Sequence, residues 1–155
     1  MSLLTRCYYT HASIGLEEDM NTFYSFVVKG FIVEKITRYI KPEWEPFPCQ
    51  LYELEVSRKR YNLIKSFVGF FAENKSEMRY SPWGVFFSLL HIPYKKEGRY
   101  FCSQFVAEAL KYTGTVKLKK GCRFFFPRDF KKIEGIRLRY HGSLLGMKNR
   151  YIAKA

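Results

Sequence analysis

The sequence predicts an α+β domain in which a central antiparallel sheet carries a histidine and a cysteine-bearing helix packs against that sheet. Three observations predict it. The first third of the chain alternates apolar and polar residues over short runs broken by turn signals, as hairpin-linked strands do. Two later stretches repeat apolar residues at helical spacing. A last alternating run, Ile136 to His141, supplies a returning strand. At 155 residues the chain is one domain, long enough to bury a core.

In chain order, Met1-Ser-Leu3 is abrupt and reads as an expression scar, with native residues missing before Leu4. Tyr8 to Glu17 reads as a strand, with Thr10, Ala12, Ile14 and Leu16 on one face and Tyr9, His11, Ser13 and Gly15 on the other. A turn at Glu18 to Asn21 leads into a strand from Thr22 to Val28, rich in aromatic and β-branched residues. After Lys29-Gly30, Phe31 to Ile36 is a third strand, in which Glu34 shares a face with Ile32 and Ile36; an exposed edge position accounts for a carboxylate there. Lys41 to Pro48, with three prolines and Trp44, is an extended loop. Cys49 to Val56 is a fourth strand, and Ser57 caps a helix whose Tyr61, Ile64, Phe67, Val68 and Phe71 mark one face to about Glu73. Trp83 to Ile92 is strongly apolar and reads as buried beside the cysteine helix.

The cysteine helix starts at Cys102. Phe105, Val106, Ala109 and Leu110 recur at helical spacing, and Gly114 closes the run. Thr115 to Gly121 is a basic connector. Pro127 to Ile133 is one helical turn with proline at its start, and the tail to Ala155 is basic and loosely held.

Composition narrows the partners. Lysine and arginine outnumber aspartate and glutamate by 27 to 14, a net +13 that favours an anionic surface, an acidic polymer or a nucleic acid. The knots at Arg58-Lys59-Arg60, Lys117 to Lys120 and Lys131-Lys132 each read as solvated surface, so a nucleic acid is the weaker choice. No run has the length of a membrane span and no signal-peptide shape appears, which favours a cytoplasmic or membrane-peripheral location. The cysteines at 7, 49, 102 and 122 fit no zinc spacing; free thiols are expected, and neither metal nor cofactor is called for.

The chemistry centres on Cys102. A helix N-terminus favours an anion, the reactive form of cysteine is the thiolate, and the same N–H groups suit an oxyanion. The bland alternative is a small inert cysteine under a helix start. A thiol nucleophile needs a base and an orienting group. His11 is the candidate base and Glu34 the candidate orienter, whereas His91 in the apolar stretch reads as structural.

Tyr9-Thr-His-Ala-Ser-Ile-Gly15, Gly30-Phe-Ile-Val-Glu34, Phe101-Cys-Ser-Gln-Phe-Val-Ala-Glu-Ala-Leu110 and Phe126-Pro-Arg-Asp-Phe130 together resemble the permuted, YiiX-like branch of the NlpC-type papain-like cysteine hydrolases. The resemblance implies a circularly permuted papain-like fold, Cys102 as nucleophile, His11 as base, Glu34 as acidic orienter, and hydrolysis of an amide or ester in a peptide, cell-wall or lipid-derived substrate. Members of that branch begin with another strand before the histidine strand, and the abrupt start here departs from them. Two other readings compete: a non-enzymatic basic module that binds an anionic surface or nucleic acid, and a lipid acyltransferase-like relative that uses the apolar stretch to meet lipid.

Overall fold

The computed structural model describes residues 1–6, 10–16, 20–39, 48–94 and 96–152. The architecture is α+β. Six strands form one sheet in the order β4-β3-β2-β1-β5-β8, with every neighbouring pair antiparallel. They are β1 (Ser2–Arg6), β2 (His11–Gly15), β3 (Thr22–Val27), β4 (Gly30–Lys35), β5 (Pro48–Leu54) and β8 (Ile136–Ser143).

The first residues are a correction to the sequence reading. Ser2–Arg6, where the sequence reading placed no strand, is an inner strand, paired with β2 on one side and β5 on the other. Leu3 and Leu4 are both buried, on opposite faces, because the sheet is covered on both sides. A strand therefore precedes the histidine strand after all. The proline-rich loop expected at 41–48 lies outside the described residues except for Pro48, which opens β5.

Register separates the two faces. Ala12, Ile14, Phe26 and Phe31 join the larger core with α1 (Arg58–Glu73) and α3 (Cys102–Tyr112). The rings of Phe26, Phe31, Phe71 and Phe105 meet there at centroid distances of 5.1 to 6.1 Å, mostly edge to face. Leu4, Phe23, Cys49 and Leu51 form a smaller core on the opposite face with Leu144 and Met147 of α4 (Leu144–Tyr151). This helix corrects the expectation of a loose tail: Ser143 caps it through Gly146 N–H at 3.0 Å.

Between the two long helices lies a small parallel pair, β6 (Arg79–Tyr80) with β7 (Arg99–Tyr100), which brackets α2 (Pro82–Leu89). The apolar stretch expected to be buried is not. Trp83, Phe86, Leu89, Leu90 and Ile92 are all exposed, because α2 faces the protein with Gly84 and Ser88.

Candidate functional site

Cys102 is the first residue of α3. The position follows from local sequence: Phe105, Val106, Ala109 and Leu110 are fully buried and seat the helix on β2 and β3, while Phe101 before it is extended, at φ −117° and ψ 163°. Phe101, the N-cap residue, makes no side-chain capping hydrogen bond. The uncapped first-turn N–H groups are the donors an anion at Cys102 would meet.

The helix reaches β2 at its start rather than its middle. Thr10 stands in a turn, its N–H bonded to the Arg6 carbonyl at 3.1 Å, and His11 is the first residue of the strand. The Cys102 sulfur lies 3.9 Å from the carbonyl oxygen of Thr10, the residue before His11, and the Cys102 thiol is one of the groups that raise the His11 pKa.

Glu34 holds the other side of the imidazole. Arg6 pairs directly with His11 across β1 and β2, and Phe23 pairs with Glu34 across β3 and β4, so alternation sets all three polar residues on the face of the smaller core. Glu34 Oε1 lies 2.6 Å from His11 Nε2, and Glu34 Oε2 pairs with Arg6 Nη2. With Nε2 donating to the carboxylate, Nδ1 is the ring nitrogen left for the thiol. Glu34 is 1 % exposed, which overturns the exposed-edge explanation: β4 is the edge strand, yet this side chain turns inward onto two cationic partners.

The electrostatics favour a charged imidazole. Burial lowers the His11 pKa, and the Arg6 charge adds to that, but hydrogen bonds to Cys102 and Glu34 and the Glu34 charge outweigh both and raise it from 6.5 to about 9. At the other two described thiols burial outweighs the nearby cations, Arg6 at Cys49 and Lys111 and Arg123 at Cys122. Burial pushes Cys49 up to about 12 and Cys122 up to about 11. All three described cysteines are free.

Sequence reasoning singled out Cys102, His11 and Glu34; the structure pairs His11 with Glu34 and sets the Cys102 sulfur against the carbonyl of the residue before His11. It missed Arg6, whose partner is 28 residues away and whose strand was not recognised. Thr10 contributes a backbone carbonyl, for which no side-chain signal exists. His91 stands in the turn after α2 at φ 56°, its ring stacked on Phe124. Asp129 of the Phe126-Pro-Arg-Asp segment has a structural task, since its carboxylate accepts from the Phe126 N–H at 2.9 Å and pairs with Lys120 at 2.7 Å. Among the described residues no three His, Cys, Asp or Glu side chains gather as metal ligands would. Comparison with protein-family models, with curated proteins and with solved structures finds no match to this chain.

Proposed function

We propose that this protein is a cysteine hydrolase of papain-like type, akin to the permuted NlpC-type enzymes, which cleaves an amide or ester through a Cys102 thioester. The observation that supports this reading is the placement of the Cys102 sulfur against the Thr10 carbonyl, next to a His11 whose ring is held by the Glu34 carboxylate, itself paired with Arg6. A helix-tip thiol, an imidazole and an orienting carboxylate are the three parts a thiol nucleophile requires.

In the proposed reaction the Cys102 proton has passed to His11 Nδ1 before substrate is attacked, as the favoured imidazolium form implies, and the thiolate attacks the substrate carbonyl carbon. The first-turn N–H groups of α3 receive the oxyanion. The imidazolium protonates the departing nitrogen or oxygen as the carbonyl–leaving-group bond breaks, leaving a thioester. Neutral His11 then takes a proton from water, the hydroxide attacks the thioester, and the carboxylic acid leaves as Cys102 recovers its proton from His11. Glu34 holds the ring in one tautomer and stabilises its charged form, and Arg6 fixes Glu34. On the same helix a cleft of about 490 Å³ is lined by Gln104, Glu108, Lys111 and Arg123, mixed charges that suit a polar substrate portion.

Incubation with activated acyl esters tests this reading. The expected result is an acyl adduct on Cys102 that turns over in the wild-type protein, is absent in Cys102→Ala, and forms about 10²- to 10⁴-fold more slowly in His11→Ala. Adducts spread over several cysteines, or turnover that survives loss of Cys102, would refute it.

A further inference from the structure

α2 is built the opposite way round from a core helix. It buries its smallest residues, Gly84 and Ser88, one turn apart, and leaves Trp83, Phe86, Leu89 and Leu90 between 50 and 60 % exposed. Those four share one helical face, and Ile92 extends it at 46 %. A Cβ at Gly84 would lie 2.6 Å from Ser81 Oγ and 3.4 Å from the Phe101 ring, so the small face is fitted to the protein, while the large face is left exposed among the described residues.

Beside this face lies a cleft of about 350 Å³ lined by Val28, Lys29, Arg79, Tyr80, Pro82 and Arg99. Arg79 and Arg99 stand directly opposite each other in the β6–β7 pair, where like charges repel. Among the described residues the lining contains no carboxylate, and none of Lys29, Arg79 and Arg99 takes part in an ion pair. Val28 at the rim is 84 % exposed. Three cations about an open cleft, bordered by aliphatic and aromatic side chains, complement a phosphodiester headgroup with acyl chains beneath it. A nucleic acid would match the cations but offers nothing to Leu89, Leu90 and Ile92.

We propose that the exposed face of α2, continued through Ile92 and Val28, docks on an anionic phospholipid bilayer, with lipid phosphate held between Arg79 and Arg99. Ser81 N–H bonds the Tyr100 carbonyl at 2.9 Å, and Gly84 abuts Phe101, so docking fixes the segment immediately before Cys102 relative to the bilayer. The surface stands on α2 and the cleft, not on Cys102 chemistry.

Co-sedimentation with phosphatidylcholine vesicles, with and without phosphatidylserine, tests it. The protein is expected to sediment with the anionic vesicles and not with the neutral ones. Trp83→Ser/Leu89→Ser and Arg79→Glu/Arg99→Glu should each weaken binding about tenfold or more, whereas Lys117→Glu/Lys119→Glu, the same charge change elsewhere, should weaken it far less. Equal losses in the two charge variants, binding unaffected by the α2 variant, or no binding to anionic vesicles would overturn the proposal. Quenching of Trp83 fluorescence by lipids brominated on their acyl chains, in a Trp44→Phe background with α2 intact, checks insertion without disturbing the helix. Absence of quenching would overturn it as well, as would an RNA duplex that displaces the vesicles from a site the α2 substitutions do not touch. The Cys102→Ala protein should bind vesicles as the wild type does, which separates this surface from the hydrolase reading.

Discussion

Glu34 presents one oxygen to His11 and the other to Arg6, and it does so in a place water hardly reaches. A buried carboxylate is costly unless paired, and removal of one member from a buried charged group typically costs about 3–5 kcal/mol. Glu34→Ala should therefore lower stability by that order in denaturant unfolding, and slow acylation of Cys102 as well. His11 carries a second prediction. Its pKa rises from 6.5 to about 9 on folding, so the folded protein binds the imidazole proton more tightly than the unfolded chain does. The resulting stabilisation is fully present below about pH 6.5 and fades as pH climbs through 9, on the order of 3 kcal/mol in all. Unfolding midpoints across that range should fall with rising pH in the wild type and fall less in His11→Ala. Equal slopes in the two proteins would contradict the assignment of charge to this ring.

At the scale of elements, one glycine makes the fold testable. Gly30 turns the β3–β4 hairpin at φ +104°, and a Cβ there would sit 2.6 Å from the Met78 carbonyl oxygen. Gly30→Ala should cost about 1–3 kcal/mol in thermal or chemical unfolding. Because β4 carries Glu34, the same change should also loosen the carboxylate from His11. Local signals explain which elements the sequence revealed. The first long helix was legible because Ser57 caps it, accepting from Arg60 N–H, and because Ile64, Val68 and Phe71 keep helical spacing. Cys102 and His11 were legible for the same reason: a helix start and an alternating strand are both short-range patterns. β1 was not, since Ser-Leu-Leu-Thr-Arg is buried on both faces and so does not alternate. Nor could sequence show that α2 turns its large residues outward, because hydrophobicity predicts burial only where a partner surface exists. Glu34 was placed on the right strand, but the pairing with Arg6 that draws it inside is a long-range fact.

For the whole molecule, the sheet is the partition. One face carries the large aromatic core and α3; the other carries the smaller core and the Arg6–Glu34–His11 group, and the site forms where the start of α3 meets the start of β2. The smaller core depends on α4, so Met147→Ala, at a fully buried position, should destabilise the protein by about 2–5 kcal/mol in an unfolding titration. Removal of α4 should expose the face on which Glu34 sits and thereby reduce the reactivity of Cys102, although the two are on different helices. The hydrolase account rests on the coupling of Cys102 to His11. The most direct measurement of it is the rate of alkylation of each cysteine across pH, read by peptide mass. Cys102 should react well ahead of Cys49 and Cys122, and His11→Ala should slow it about tenfold or more, since the thiolate then loses its cationic partner. A Cys102 that alkylates no faster than Cys49, or at a rate indifferent to the loss of His11, would contradict the account.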